Sequence, residues 1–441
     1  MSGFIKRLVG KMKTVSAGNS IGNKMDSVYV NWTKEQLIRR IAELENANKQ
    51  HPDEPQHTEE NKKRKLPRKE VIKTKTKIGQ KKFDFSRHNT RLIALRFAYL
   101  GWNYNGLAIQ KEYTPLPTVE GIILEAMNKC KLVPSLVLQE YKFSRCGRTD
   151  KGVSAMNQVI SLEVRSNLTN EEQLDPANDC REISYVRVLN QLLPDDIRIS
   201  AVCLRPPPDF DARFSCVHRH YKYVFNGKNL NIDKMSKAAS YFLGENDFRN
   251  FCKLDGSKQI TNFKRTMLSS KILPLSDTFY CFDLIGSAFL WHQVRCMMAI
   301  LFLAGQELEE PEMVLRLLDI EKTPQRPIYD MADDIPLLLY DCEFPQLEWQ
   351  ETAVDDCKSI RVTTATEALT LHYGLKAMVS NIFKDVLPTA DTNNFTKTII
   401  NLGDGKGKIV GNYVKLKDRS VMESVEAVND KYSKRRSKKT K

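Results

Sequence analysis

One apolar segment constrains the fold of this chain more than any other part of its sequence. Residues 287–305 are Ser-Ala-Phe-Leu-Trp-His-Gln-Val-Arg-Cys-Met-Met-Ala-Ile-Leu-Phe-Leu-Ala-Gly, with Arg295 as the single full charge. A segment that is apolar on almost every side predicts a buried helix, ending here at Gly305. A buried guanidinium needs a carboxylate partner, because leaving it unpaired is strongly destabilising. Asp150 would suit it by accepting two hydrogen bonds, and a purely structural acid is the alternative.

A polar loop over residues 143–155 predicts a functional site. It reads Phe-Ser-Arg-Cys-Gly-Arg-Thr-Asp-Lys-Gly-Val-Ser-Ala and precedes a strand-like run at 157–164. Gly147 and Gly152 leave the backbone free on either side of Asp150 and allow a ligand to approach it. Three neighbouring cations attract a phosphate-bearing substrate, namely Arg145, Arg148 and Lys151. The loop indicates chemistry on a nucleic acid, and a turn capped by an aspartate is the alternative.

The nine residues 147–155 resemble the signature motif of the TruA family of tRNA pseudouridine synthases, whose catalytic acid would correspond to Asp150. Cys146 with Gly147, together with the charged N-terminal extension, resembles the eukaryotic branch that modifies uridines 38 and 39 of the tRNA anticodon arm. The resemblance implies an isomerase with tRNA as its substrate. A eukaryotic paralogue acting on other tRNA or small nuclear RNA positions is one alternative, and a non-catalytic tRNA-binding protein is another.

Two more segments resemble motifs of the same family. The run Arg-His-Tyr-Lys-Tyr at 219–223, which follows Phe-Asp-Ala-Arg-Phe-Ser at 210–215, resembles the Arg-x-Tyr-x-Tyr motif. The resemblance implies that the ring of Tyr221 packs against the target uracil. Residues 289–295 resemble the Phe-Leu-x-His-x-Val-Arg motif, whose arginine accompanies the catalytic acid. This favours Asp150 as the partner of Arg295.

The implied chemistry assigns roles to further residues. Conversion of uridine to pseudouridine breaks a C–N glycosidic bond and forms a C–C bond, so it needs no cofactor and no metal but an acid at the ribose or the base. Asp150 would act as a nucleophile or by removing a ribose proton, and both alternatives stay open. The target base must leave its stack, and Arg148 would occupy the vacated space. The family's apolar strand residue on the target base is assigned to Leu337, and RNA contacts are predicted for Arg145, Lys151 and Lys222.

The order of the predicted elements indicates an α+β fold. Residues 91–210 alternate strand-like and helix-like runs in a β-α-β-β-α-β order, with Thr118 as the N-cap of the first helix. The resemblance implies two similar halves of this type, at 90–210 and 211–345, with their sheets joined around a central RNA-binding cleft. Basic extensions would flank the two halves.

The positive charge is concentrated in the termini. The net charge is +14, and residues 1–90 hold 21 Lys and Arg against 10 Asp and Glu, while residues 431–441 hold seven basic residues and no acid. Such extensions predict salt-sensitive affinity for RNA that does not depend on its sequence. The basic run at 62–69 predicts nuclear import or RNA contact, so we expect the protein in the nucleus and the cytoplasm.

The extensions also contain helical patterns. A short helix is predicted near 33–46 within the mostly disordered stretch 1–89. A second is predicted near 366–387 within the extension 346–441, behind a capping box at 364–367, with one apolar face that needs something to pack on.

Cysteine spacing and hydropathy exclude other classes. The ten cysteines lie at least thirteen residues apart, so no Cys-x-x-Cys pair exists and a metal site is not expected. A metal-dependent nuclease is disfavoured because the Asp150 loop offers one acid among cations. No stretch is long and apolar enough to span a bilayer, so no membrane association is expected. The family is commonly dimeric, which implies a homodimer.

Overall fold

The computed structural model of the chain describes residues 83–110, 112–351, 357–388 and 397–439. The helix predicted near 33–46 and the basic run at 62–69 lie outside the described residues. No helix in the described ranges is long and apolar enough to cross a membrane.

Ten strands form one continuous, mainly antiparallel sheet. In chain order they are β1 (Asn89–Tyr99), β2 (Ser144–Arg145), β3 (Ser154–Ser166), β4 (Ile197–Cys203), β5 (Arg219–Asn226), β6 (Gly244–Asp247), β7 (Lys264–Pro274), β8 (Phe279–Gly286), β9 (Leu337–Cys342) and β10 (Gln350–Glu351). Their spatial order is β10-β4-β1-β3-β9-β5-β8-β7-β6, and β2 pairs with β3. A separate ladder joins β11 (Thr398–Ile400) to β12 (Lys408–Val410).

The large sheet contains two similar halves. In the first half the fourth strand lies beside the first, the first beside the third, and the third beside the second, which gives β4-β1-β3-β2. The second half repeats this order as β9-β5-β8-β7, with β6 added at its edge. Parallel pairing of Ser154 with Leu338, and of Ala155 with Leu339, joins β3 to β9 and so joins the halves. The predicted α+β fold of two similar halves with joined sheets is confirmed.

Seven α-helices accompany the sheet within the described ranges: α1 (Val119–Lys129), α2 (Tyr185–Asn190), α3 (Ile232–Ser240), α4 (Gln293–Gly305), α5 (Met313–Leu318), α6 (Cys357–Asp385) and α7 (Val425–Lys439). As predicted, Thr118 caps α1, because its hydroxyl accepts a hydrogen bond from the amide of Gly121. Side chains of β1, β3 and α1 contribute to one hydrophobic core, and side chains of β5, β8, α3 and α4 contribute to a second. Since β9 contributes Leu339 to the first core and Leu337 to the second, the boundary at residues 210 and 211 stays a prediction.

The helix α4 is shorter than the helix predicted at 287–305. It begins at Gln293, whose side-chain oxygen accepts a hydrogen bond from the amide of Leu290 at 2.8 Å. His292 has a φ of 61°, a left-handed conformation that stops the helix from beginning earlier. Every residue of α4 except Arg295 is buried, as the apolar pattern predicts.

The C-terminal helices also differ from prediction. The expected capping box at 364–367 lies inside α6, which runs over 29 residues. The hydroxyls of Thr366 and Thr370 donate to the carbonyls four residues earlier, at 3.0 and 3.1 Å, so these threonines bond within the helix and do not cap it. The tail expected only as a basic extension is helical through Lys439 as α7.

Candidate active site

The loop that carries Asp150 is hydrogen-bonded to the end of β1 and to the segment that follows it. The hydroxyl of Tyr99 lies 2.7 Å from that of Thr149, and the amide of Leu107 donates to the Thr149 carbonyl at 3.2 Å. Gly106 permits this approach, because its φ is 83° and a Cβ there would lie 2.6 Å from the same carbonyl oxygen. The loop leads into β3 at the point where β3 pairs with β9. Asp150 therefore lies where the two halves of the sheet join.

Two ring N–H groups hold the carboxylate of Asp150. The indole Nε1 of Trp291 donates to Oδ1 at 3.1 Å, and Nε2 of His292 lies 3.3 Å from Oδ2. Both rings belong to the loop that precedes α4. The Asp150 side chain is still 34% exposed, which leaves it open to a substrate.

The proton on His292 can be placed from its surroundings. Burial lowers the pKa of the His292 imidazole, with Asp150 opposing the shift and Arg295 and Lys253 adding to it. A neutral imidazole beside a carboxylate carries its proton on the facing nitrogen, because two acceptors repel each other. Nε2 is therefore the N–H, and Nδ1 is a buried acceptor without a hydrogen-bond partner among the described residues.

Arg295 forms its ion pair with Asp334, so the predicted pairing with Asp150 is wrong. Its Nη1 lies 3.6 Å from Oδ2 of Asp334, and its Nε donates to the carbonyl of Ala332 at 2.7 Å. The side chain is 13% exposed, so the predicted largely buried guanidinium with an acid partner is present. Burial raises the pKa of the Asp334 carboxyl, and the charge of Arg295 opposes that shift.

Asp334 connects this ion pair to the Asp150 loop. Gly152 has a φ of 81°, and a Cβ there would lie 2.6 Å from Oδ1 of Asp334, so any side chain would displace one of the two segments. Arg295 is therefore linked to the Asp150 loop through Asp334, and its contact with the substrate stays a prediction.

Tyr221 lies on β5 between the two cores. Its ring makes an edge-on contact with Phe289, with 4.8 Å between the ring centroids. Burial raises the pKa of the Tyr221 hydroxyl far above its usual value. The phenol therefore keeps its proton at neutral pH and can donate a hydrogen bond. Its contact with the target uracil stays a prediction.

Two of the predicted RNA-contacting cations lie beside the acid. Arg148 and Lys151 are both exposed, on either side of Asp150. Arg145 differs, because its Nε and Nη2 both donate to the buried carboxylate of Glu120, the second at 3.1 Å. Arg145 thus fixes the start of the loop to α1, and its contact with RNA stays a prediction.

Lys222 is separated from the other predicted site residues. Side chains alternate between the faces of a strand, so Lys222 and Tyr221 point to opposite faces of β5. The Nζ of Lys222 lies 3.7 Å from the carboxylate of Asp283 and 3.8 Å from the ring centroid of Tyr340. The structure therefore does not bring Lys222 to Asp150, because the strand periodicity directs it away.

Leu337 is a core residue in the structure. It is 5% exposed and packs in the second core, so its predicted contact with the target base stays a prediction. Sequence reasoning missed the contacts of Trp291, His292 and Asp334. His292 is part of the quoted motif and Trp291 fills its unspecified position, but no sequence pattern reports a hydrogen bond to a loop more than 130 residues away.

These groups can perform acid–base and nucleophilic chemistry on a nucleoside. They comprise one accessible carboxylate oriented by two N–H donors, a protonated phenol, and two exposed cations that can attract phosphate. Within the described ranges, no group of three or more His, Cys, Asp or Glu side chains could hold a metal ion.

One accessible carboxylate at the junction of two similar sheet halves, with Tyr221 two strands away on β5, is the arrangement expected of the pseudouridine synthases. A family model described as tRNA pseudouridine synthase matches residues 238–345. The tRNA pseudouridine(38/39) synthase of Saccharomyces cerevisiae is 80% identical over 442 residues and covers 100% of both chains. The Homo sapiens protein of the same name is 40% identical over 77% of this chain and 73% of its own. The chain belongs to the TruA family of tRNA pseudouridine synthases.

The family also includes more distant relatives of this chain. The tRNA pseudouridine synthase A of Methanococcoides burtonii is 28% identical over 68% of this chain and 98% of its own. That match covers nearly the whole archaeal protein but leaves about a third of this chain outside it. The protein is accordingly an enzyme, an isomerase, with a family catalytic body and additional segments.

Proposed function

We propose that this protein isomerises uridine to pseudouridine at positions 38 and 39 of the tRNA anticodon stem-loop. The observation that carries the proposal is the carboxylate of Asp150, oriented by Trp291 and His292 at the junction of the sheet halves. The choice of uridines is supported by the S. cerevisiae relative, which is 80% identical along its whole length and is named for those two positions.

The reaction exchanges one glycosidic bond for another. The N1–C1′ bond of uridine breaks, the uracil turns, and a C5–C1′ bond forms, after which C5 loses its proton and N1 gains one. No atoms or electrons are gained or lost, so no co-reactant is required. Asp150 acts as a nucleophile at C1′ or removes a ribose proton, and both routes need an accessible, oriented carboxylate. Protonated Tyr221 is available as a donor to the turning base.

The target uridine must leave the helix before Asp150 can reach it. Flipping costs unstacking energy, which is recovered when a side chain fills the gap and the flipped base is enclosed. Arg148 is exposed two residues before the acid and is our candidate to fill the gap. Lys151 and the basic termini supply contacts to phosphates.

Purified protein and defined tRNA transcripts test the proposal. Three transcripts would be labelled with tritium at uridine C5. Of the two positions, the first transcript has uridine at 38 and cytidine at 39, the second has cytidine at 38 and uridine at 39, and the third has cytidine at both. We expect tritium release from the first two and none from the third. Release only from uridines outside the anticodon arm would assign a different substrate, and no release from any transcript would contradict the activity.

We also infer that the protein forms a homodimer. The support is the family resemblance and an apolar stripe along α6, whose members are between 56% and 64% exposed: Leu371, Leu375, Met378 and Ile382. Light scattering should give twice the 50.7 kDa mass of one chain. Met378→Glu should lower that mass, whereas Ser380→Glu on the other side of the helix should not. A monomer at working concentration would contradict the dimer.

We further propose that the protein is present in the nucleus and the cytoplasm, on the basis of the basic run at 62–69. A fluorescent fusion should distribute between both compartments. Replacing the Lys and Arg residues of that run by Gln should reduce the nuclear signal, and an unchanged distribution would contradict the proposal.

A further inference from the structure

An exposed aromatic ring lies on a turn that is bonded to the Asp150 loop and has no part in the chemistry described above. Phe214 is 81% exposed, on a short turn before β5. The guanidinium carbon of Arg213 lies 5.4 Å from the centroid of its ring, which is a cation–π distance. In the part of the chain that the structure describes, no carboxylate forms an ion pair with Arg213. The pair thus presents an open π-face and an uncompensated positive charge.

The turn that carries this pair is rigidly built. The carboxylate of Asp211 accepts hydrogen bonds from the amides of Arg213 and Phe214, at 2.8 and 3.1 Å. The amide of Ser215 donates to the Asp211 carbonyl at 2.8 Å, and the Ser215 hydroxyl accepts from the Asp211 amide at 3.2 Å. Four bonds over five residues fix the backbone that carries Phe214, so little backbone entropy is lost when the ring binds a base.

The same turn is tied to the Asp150 loop and to the loop that carries Trp291. Nη2 of Arg219 donates to the carbonyls of Arg213 and Cys146, at 2.8 and 3.0 Å, and its Nη1 donates to the carbonyl of Ser287 at 2.9 Å. The amide of Ala212 donates to the hydroxyl of Ser144 at 2.8 Å. Phe214 therefore stands on a scaffold shared with the catalytic carboxylate.

We propose that Phe214, with Arg213 beside it, is a stacking platform for an unpaired base of the tRNA anticodon loop. RNA loops offer splayed bases, which proteins recognise by stacking on aromatic rings and on arginine planes. The site fits one base better than a protein surface, because it is a single ring with a free cation and not a broad apolar patch. Stacking there would anchor the loop while the neighbouring stem uridine is flipped to Asp150. This inference rests on the proposed function.

Binding of an anticodon stem-loop RNA to the full-length protein tests the platform. The variants are Phe214→Ala, Phe214→Leu and Phe214→Trp, and Phe279→Ala is the control, at another exposed phenylalanine on β8. 2-Aminopurine replaces each unpaired loop base in turn, because its fluorescence is quenched by stacking. One loop position should be quenched on binding to the wild type and to Phe214→Trp, but not to Phe214→Ala.

The affinities should separate stacking from simple apolar contact. Phe214→Ala and Phe214→Leu should each raise the Kd by about 5- to 100-fold, and Phe214→Trp should restore it, since every base can stack on an aromatic face. The value of kcat/KM should fall by the same factor as the affinity. The platform would be overturned if Phe214→Ala bound RNA as tightly as the wild type, or if Phe214→Leu kept the wild-type Kd. It would also be overturned if the variants changed the oligomeric mass but kept normal RNA affinity. A wild type that binds RNA with this pattern but forms no pseudouridine would refute the proposed activity and leave the platform standing.

Discussion

Each carboxylate oxygen of Asp150 has its own N–H donor, and the two donors come from adjacent residues with very different rings. Trp291 serves Oδ1 and His292 serves Oδ2, so the plane of the carboxyl group is set before substrate arrives. Such pre-orientation lowers the cost of reaching the reacting ribose in the correct geometry. We therefore expect the activity of Asp150 to depend on two rings that take no part in making or breaking bonds.

Trp291→Phe isolates the indole N–H from the rest of the ring. The variant keeps an aromatic side chain but loses the donor to Oδ1, so turnover should fall while tRNA affinity is retained. A hydrogen bond to a charged group contributes about 1.5–3 kcal/mol, which corresponds to a loss of about 10- to 100-fold in kcat. Single-turnover kinetics measures it, with Trp349→Phe as the matched control. A fully active Trp291→Phe enzyme would remove the indole from the site.

His292 makes the stability of the fold depend on pH. Burial lowers its folded-state pKa below the unfolded value, with Asp150 opposing and Arg295, Lys253 and Arg326 contributing to the shift. Because the unfolded chain then binds the proton more readily, the free energy of unfolding should decrease as the pH falls from about 7 through the unfolded value of about 6.5.

The test replaces the ring by an amide that keeps a donor. His292→Gln should lose less stability than the wild type between pH 7.5 and 5.5, as measured by urea unfolding. The matched control is His372→Gln on the exposed surface of α6, which should follow the wild type. If the free energy of unfolding varied with pH in the same way in the wild type and in His292→Gln, His292 would be excluded as the source of the pH dependence.

Sequence reasoning identified single residues better than their partners. Asp150 and Tyr221 came from motif resemblance, and the structure places both near the junction of the halves. Arg295 was identified as a largely buried cation because a single charge in the middle of an apolar helix is carried into the core with it. Its partner was assigned wrongly, since choosing between Asp150 and Asp334 requires the position of α4 relative to two loops, which no local pattern contains.

At the scale of elements, the helix α4 and the segment before β9 share one ion pair that supports the Asp150 loop. Arg295 reaches Asp334 from α4, and Asp334 contacts the backbone of Gly152. Displacement of either partner should therefore move the loop, although neither is among the groups that bond the Asp150 carboxylate.

A double-mutant cycle on Arg295→Met and Asp334→Asn measures the coupling. Arg295→Met leaves the partly exposed carboxylate of Asp334 without its partner, and Asp334→Asn leaves the largely buried guanidinium of Arg295 without one. Each should lower the free energy of unfolding by about 1–3 kcal/mol, and the double variant should lose less than the sum. Both singles should also lose kcat more than tRNA affinity. Strictly additive losses would show that the two side chains do not interact.

The start of α6 shows the limit of local patterns at this scale. A Thr-x-x-Glu pattern predicts a helix start when nothing helical precedes it, but the helix already begins at Cys357, so Thr364 lies within it. The prediction of where α4 begins is wrong for a different reason. His292 has a left-handed backbone and contacts Asp150, which is distant in the sequence.

At the scale of the whole molecule, the repeated strand order explains why one chain makes a single sheet with two cores. The alternating strand and helix patterns of 91–210 were sufficient to predict the first half. The insertion of β9 between β3 and β5 was not visible, because parallel pairing between residues about 180 positions apart has no local signature. The family resemblance supplied the joined halves that composition alone could not.

The charged N-terminal region should affect tRNA binding more than chemistry. Residues 1–80 carry 18 Lys and Arg against 9 Asp and Glu. Deleting them should raise the Kd for tRNA and make log K less dependent on log salt, because fewer counterions are released. The value of kcat should change by less than about twofold. In a full-length variant with the cations of 62–69 changed to Gln, the Kd and its salt dependence should change in the same direction. An inactive truncated enzyme would show that residues 1–80 are needed for the chemistry as well as for binding.

Mapping of pseudouridine in tRNA from cells tests whether Asp150 is the catalytic acid of this tRNA pseudouridine synthase. Carbodiimide primer extension would compare cells carrying the wild-type gene, no gene, or only Asp150→Asn, with tRNA binding by the purified variant as the folding control. We predict that modification at positions 38 and 39 is lost in the last two, while Asp150→Asn still binds tRNA. Full modification at both positions in the Asp150→Asn cells would show that Asp150 is not the catalytic acid.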